Sequence, residues 1–140
     1  MCDDVRQEVG DRYSIMGVWQ IAAIRDFTKP VPPFTVLAHW IFPDAGTYKI
    51  GTNITSPSGK TIVNVSRDYN LTGPKNKPDG YHVVDMSKFG NVVFPETGTY
   101  VIRLTCDGIE RYASNLFIVK WSAPTQPQTL TTMPSNVTKH

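Results

Sequence analysis

Charge of one sign, helical periodicity, long apolar runs and cysteine are all scarce in this sequence, and each shortage removes a class of protein. Fourteen Lys and Arg stand against twelve Asp and Glu, a formal charge of +2, with the basic residues scattered along the chain. The basic stripe that a phosphate backbone selects is missing, so nucleic acid is not an expected partner. Apolar stretches such as Val36-Leu37-Ala38 break within a few positions, far short of the roughly 20 residues that cross a bilayer as a helix. No membrane partner is expected. No segment holds apolar residues at i, i+3, i+4 and i+7 over three turns, which excludes long amphipathic helices.

Signatures of chemistry are also missing. There is no P-loop, GxGxxG, GxSxG or CxxC, and no serine has a visible neighbouring base. The histidines are His39, His82 and His140. A metal site wants two or more ligands at short spacing, and only His82 with Asp85 makes a weak pair. The histidines read as surface or rim residues. Asp3, Asp4, Glu8 and Asp11 lack the alternating pattern of a calcium loop and read as a solvated acidic lead-in to the first strand. The expectation is a non-enzyme with no catalytic residue, no metal and no cofactor.

The two cysteines, Cys2 and Cys106, are expected to be thiols. The amino terminus carries acids where a signal peptide has basic residues, and no apolar segment follows, so the expected setting is cytoplasmic and reducing. Asn-x-Ser/Thr sequons at Asn53, Asn64, Asn70 and Asn136 then read as by-products of an Asn- and Thr-rich chain.

What the sequence does hold is strand signal. A first strand is read through 13–24 (YSIMGVWQIAAI), with Gly17 at a bulge or crowded crossing. Three prolines in DFTKPVPP force a loop. A second strand follows over Phe34–Phe42, and a third over Thr47–Thr55. The turn Ser56-Pro57-Ser58-Gly59 joins it to a strand over Lys60–Arg67. Residues 71–80 form a long exposed connection. Short strands over Tyr81–Asp85 and Asn91–Phe94 precede Thr99–Cys106, and Asp107-Gly108 turns into Glu110–Lys120. Short strands at this spacing predict one all-β domain over 1–120, a sandwich of seven or eight antiparallel strands. Residues 121–140, rich in Pro and Thr, read as a flexible tail that is free or laid on a partner.

One phrase occurs twice, FPDAGTY at 42–48 and FPETGTY at 94–100. Strand parity puts Tyr48, Ile50, Thr52 and Ile54 inward after the first copy, and Tyr100, Ile102, Leu104 and Cys106 inward after the second. A tyrosine opening an inward row after a Gly turn fits a tyrosine corner, in which the ring packs on the core and the hydroxyl caps nearby backbone. The phrase therefore reads as a corner written twice rather than a ligand loop built on Asp44 and Glu96. Cys106 reads as a small buried hydrophobe.

The segment PETGTYVIRLTCDG resembles the penultimate strand of immunoglobulin-like and fibronectin-type sandwiches. The opening CDDVRQEVGDRYSIMGVW, with the doubled corner, is similar to a family of small uncharacterised bacterial proteins, over most of residues 2–120. The resemblance implies an immunoglobulin-like fold, a bacterial origin and a cytoplasmic setting. It carries no activity or catalytic residue to transfer.

Two strands depart from clean alternation. Phe34, Val36, Ala38, Trp40 and Phe42 form one face of the second strand, yet Thr35, Leu37, His39 and Ile41 opposite are also substantially apolar. In the first strand Tyr13, Ile15, Trp19 and Ile21 face one way, and Met16, Val18, Ala22 and Ile24 the other. A sheet half exposed to water alternates more cleanly, so something is expected to cover the second face: the 71–80 connection, the tail or another chain. The leading expectation is a protein-interaction or assembly module that forms a homo-oligomer. Its interface is placed at Met16, Val18, Leu37, His39 and Ile41, with the Lys75/Lys77 loop as a second recognition surface. The alternative is a module binding a carbohydrate or nucleotide on Trp19, Trp40, Tyr81 and Trp121. Inward parity of Trp19 and Trp40 counts against it.

Overall fold

The computed structural model describes residues 1–8, 12–18 and 20–123, with side chains described for 1–2 and 20–123. Nine strands and no helix occur among them: β1 Cys2–Glu8, β2 Arg12–Val18, β3 Ile21–Ile24, β4 Phe34–Phe42, β5 Gly46–Thr55, β6 Thr61–Leu71, β7 Tyr81–Phe89, β8 Gly98–Cys106 and β9 Ile109–Lys120. They form two sheets, ordered β2-β1-β4-β7 and β3-β9-β8-β5-β6. All pairs are antiparallel except β3 with β9, which run parallel.

The all-β expectation stands, in two sheets; what changes is the division of the chain into strands and one parallel pair, β3 with β9. The acidic segment read as a lead-in is itself β1, paired with β2 from Cys2 opposite Val18 to Glu8 opposite Arg12. The single strand read over 13–24 is two strands in different sheets. Parity carried across the break consequently fails. Ile21, placed inward with Tyr13, is 65% exposed, whereas Ile24, placed outward, is buried in the core. A chain that changes sheets presents apolar residues to both sides of its sequence pattern, and the one polar residue at the crossing, Gln20, is exposed there as it would be on the outer face of an unbroken strand.

Two further boundaries move. β7 runs on to Phe89 instead of stopping at Asp85, and β6 runs to Leu71 instead of Arg67. Asn91–Phe94 is no strand; it is irregular chain pinned by a bond from Val31 N to the Val92 carbonyl at 2.9 Å, with Phe94 fully buried. Phe94 stacks edge-on against Tyr100 at 5.1 Å, so its apolar character serves the core without a ladder. The expected tail begins at 121–123 without regular structure, and 124–140 lies outside the described residues.

The two sheets share a core. Phe34, Val36 and Phe89 from one sheet pack with Ile54, Val63, Tyr100, Ile102, Leu116 and Ile118 from the other. A smaller cluster of Phe42, Ile50, Val83 and Cys106 has Trp40, Tyr48, Tyr69 and Tyr81 packed against it. Inward parity after both copies of the repeated phrase holds: Ile50, Thr52, Ile54, Tyr100, Ile102 and Cys106 are all buried, with Tyr48 and Leu104 half-buried. Both cysteines are thiols in buried positions, and the Cys2 Sγ lies 3.5 Å from the Thr35 carbonyl. Burial pushes the Cys106 thiol above its ordinary pKa, and the neighbouring Asp107 carboxylate adds to this, as suits a packing residue and not a nucleophile.

Candidate functional site

The site begins with an incomplete ladder. β7 covers one side of β4 along its whole length, from Phe34 opposite Phe89 to Phe42 opposite Tyr81. On the other side β1 meets β4 only where Cys2 lies opposite Thr35. Among the described residues no strand pairs with that edge over Leu37–Phe42. In the second sheet β3 pairs with β9 only over Phe117–Lys120, which leaves the edge of β9 before Phe117 open in the same sense. Among the described residues, one side of the molecule is therefore bordered by two strand edges without a partner.

Between these edges runs a groove. A cavity of about 460 Å³ is lined by Leu37, Trp40, Leu104, Arg111 and Tyr112, and one of about 480 Å³ by Trp40, Tyr48, Cys106 and Arg111. Both touch Trp40 and Arg111. A third, of about 230 Å³, extends past Leu37 and Tyr112 to Gln20 and Asn115. The walls are largely apolar, and Tyr112 is 59% exposed. The indole N–H of Trp40 is buried and has no hydrogen-bond partner among the described residues, although a buried indole ordinarily finds one.

The outer face of β4 and β7 adjoins this groove. Register sets Leu37 beside Met86, His39 beside Val84 and Ile41 beside His82. His39 and Ile41 are exposed and Leu37 is half-buried. Of the residues expected at the interface, Leu37, His39 and Ile41 thus share one surface. The side chains of Met16 and Val18 lie outside the described residues, although the backbone puts both on β2, at the far edge of the same sheet.

Lys75 and Lys77 are exposed on the 72–80 connection, which is held at several points. Asn76 N donates to an Asp44 carboxylate oxygen at 3.0 Å, the Tyr81 hydroxyl donates to the Pro74 carbonyl at 2.6 Å, and Lys77 sits over the Tyr81 ring at 5.2 Å. Asp44 and Glu96, the acids of the repeated phrase, both accept structural bonds; Glu96 takes the Ser58 hydroxyl at 2.5 Å.

Of the aromatic residues of the alternative reading, Trp40 lines the groove. Trp19 lies outside the described residues, Tyr81 is engaged by its own loop, and Trp121 carries the Arg25 guanidinium 3.7 Å over its ring. The His82–Asp85 pair is absent. Asp85 is buried and accepts from the Tyr69 hydroxyl at 2.5 Å, whereas His82 meets His39 at 2.9 Å. Parity explains this, since an odd spacing puts residues 82 and 85 on opposite faces of β7. Sequence reading missed Arg111, Tyr112 and the two histidines together, because the partners lie on strands that are distant in the chain.

Among the described residues no group of three or more His, Cys, Asp or Glu is placed to hold a metal ion, and no helix is long and apolar enough to cross a membrane. A model of a family of unknown function matches residues 1–119. No curated protein and no solved structure matches the chain.

Proposed function

The chain belongs to DUF6941, a family of unknown function, and we propose that it is a non-enzymatic interaction module of immunoglobulin-like architecture that self-associates through the open edge of β4. The observation that carries this reading is the ladder over Leu37–Phe42 that no strand among the described residues pairs with, beside an apolar groove. Backbone donors and acceptors on an edge strand are a template for another strand. Protein edges are commonly blocked by Lys, Pro or a bulge, and LAHWIF contains none of the charged or proline residues that would do so.

Support for the architecture comes from three features. β3 parallel to β9 at a sheet edge, next to strands that otherwise pair antiparallel in two sheets, is the arrangement of a strand that switches sheets in a sandwich. Consecutive strands β4 and β5 lie in different sheets, as do β6 and β7, which gives the inter-sheet crossings of Greek-key sandwiches. The Tyr100 hydroxyl bonds back to Glu96, as a tyrosine corner requires.

Parity also defines a self-complementary register. In an antiparallel pair, residues directly opposite point to the same face. Two copies of β4 paired about Trp40 satisfy this, setting His39 beside the partner subunit's Ile41 and Ala38 beside the partner subunit's Phe42. The partner subunit's Pro43 then falls opposite Leu37, clear of the Cys2–Thr35 pairing. The arrangement is isologous and closes as a dimer.

Light scattering on the purified chain across a concentration series tests the reading, with Ile41→Lys and Leu37→Asp as variants. Ile41 is 61% exposed, so its replacement leaves the fold intact while setting a charge at the edge. A concentration-dependent dimer that Ile41→Lys dissociates is the expected result. A wild-type chain that stays monomeric at all concentrations overturns it. Unfolding of Leu37→Asp, read by far-UV circular dichroism, would instead place Leu37 in the core and move the interface off the outer face.

A second reading rests on the orphan Trp40 N–H. A buried, unpartnered donor on a residue that lines an apolar groove together with Arg111 suits a small ligand bearing an acceptor or anionic group. A thermal shift with a glycan or nucleotide panel on a clean monomer is the outcome that favours it.

A further inference from the structure

His39 on β4 and His82 on β7 are diagonal neighbours across an antiparallel pair, since Ile41 is the residue directly opposite His82. Their rings lie with centroids 5.1 Å apart at an interplanar angle of 36°, and His39 Nε2 is 2.9 Å from His82 Nδ1. The other nitrogen of His82, Nε2, is 2.9 Å from the carbonyl oxygen of Asp79. That carbonyl only accepts, so His82 Nε2 carries a proton. With the ring neutral, Nδ1 is a bare lone pair, and His39 must donate to it through Nε2–H.

From this arrangement we infer that His39 and His82 form a two-imidazole site for a divalent transition metal ion of the zinc and copper class. Imidazole nitrogen is the ligand these ions favour. A ligating histidine characteristically donates its second ring N–H to a carbonyl or carboxylate, which fixes its tautomer and orientation, and the Asp79 carbonyl already does this for His82. Tetrahedral zinc at about 2.0–2.1 Å from each nitrogen holds two ligand nitrogens about 3.3 Å apart. The present 2.9 Å separation therefore opens by a few tenths of an ångström, and both exposed rings turn so that their lone pairs converge on the ion instead of facing one another.

Proton bookkeeping is simple. His39 moves its proton from Nε2 to Nδ1 through solvent, His82 keeps its Nε2–H, and both rings bind as neutral ligands through His39 Nε2 and His82 Nδ1. No net proton is released when both rings start neutral. Water completes the coordination sphere on this exposed face. The ligands sit on paired strands, and the turn that supplies the Asp79 carbonyl is closed by Gly80 N donating to the Lys77 carbonyl at 2.9 Å. The inference stands apart from the association reading, since both ligands come from one chain.

Isothermal titration of the full chain with zinc chloride at neutral pH tests it. One zinc per chain is expected, with affinity falling about tenfold or more in His39→Gln and in His82→Gln and unchanged in His140→Gln. Nuclear magnetic resonance of the wild-type imidazoles gives a readout independent of any variant: zinc should shift the ring signals of His39 and His82 and leave those of His140. Absence of saturable binding in the wild type overturns the inference. So does binding that survives both substitutions or follows His140.

Discussion

The Tyr100 hydroxyl donates to the Glu96 carbonyl at 2.9 Å and accepts from the Glu96 N–H at 3.2 Å, so one side chain satisfies both backbone groups of a single residue. The first copy of the phrase repeats the geometry in part, with the Tyr48 hydroxyl donating to the Asp44 carbonyl at 2.8 Å. Tyr100 is fully buried and Tyr48 half-buried. The two corners therefore differ in what they contribute.

Removing the hydroxyls should expose that difference. Tyr100→Phe strands a donor and an acceptor beside the core, at about 1 kcal/mol each, for a loss near 2 kcal/mol. Tyr48→Phe leaves one acceptor that water reaches, for about 1 kcal/mol or less. Urea denaturation of both variants checks the order, and equal losses would contradict the corner account.

At the opposite margin of the fold, Tyr69 of β6 donates to Asp85 of β7 and so ties one sheet to the other. Asp85 also accepts from the Ser87 hydroxyl at 3.3 Å and lies 4.0 Å from an Arg67 guanidinium nitrogen. Tyr69→Phe takes a donor from a buried carboxylate, for which about 2 kcal/mol of destabilisation is expected. Burial first, then the Asp85 carboxylate, push the Tyr69 hydroxyl above its ordinary pKa, and burial raises Tyr100 as well. The unfolded chain ionises these groups first, so their contribution is complete below about pH 10 and lost as pH rises through the folded values. Tyr69→Phe should flatten the alkaline limb of a stability-against-pH curve.

The acid limb has a different source. The Ser58 hydroxyl, then the Ser58 N–H, hold the Glu96 carboxyl below its usual range. A depressed carboxyl contributes fully above the unfolded carboxylate pKa, and that contribution fades as pH falls from there through the lower folded value. Glu96→Gln should therefore cost stability at neutral pH and little at pH 3, in paired denaturation curves. A uniform loss at both pH values would mean that packing, not charge, sets the effect.

Strand parity made the inward rows after both copies of FPxxGTY legible, because Ile50, Thr52, Ile54, Tyr100, Ile102 and Cys106 sit in strands that do not change sheets. The same rule misplaced Ile21 and Ile24, because the polar residue between Val18 and Ile21, Gln20, fits the outward row of an unbroken strand as well as it fits a crossing from one sheet to the other. Leu37, His39 and Ile41 were readable as an apolar outer row from their alternation alone. That His39 would meet His82, or that Trp40 would share a groove with Arg111, depends on the registers of β4 with β7 and on β9 facing β4. Local pattern carries no information about either.

The close of the 72–80 connection offers a last test of how tightly the β4 margin is held. Gly80 adopts φ +68°, a left-handed conformation, and a Cβ there would lie 2.8 Å from the Phe42 carbonyl oxygen and 2.9 Å from Ile41 Cγ2. The carbonyl belongs to the β4 ladder and cannot yield without disturbing the pairing of Phe42 with Tyr81. Gly59 makes the control, with φ +85° and no atom within 4 Å of a Cβ. Gly59→Ala should show only the conformational penalty, about 1 kcal/mol. Gly80→Ala adds the clash and should exceed it by about 1–2 kcal/mol, with the excess read as a lower urea midpoint. Because the turn also presents the Asp79 carbonyl to His82, Gly80→Ala should loosen that contact, seen as a change in the His82 ring resonances. A Gly80→Ala chain as stable as Gly59→Ala would mean that the loop lifts off β4 at little cost.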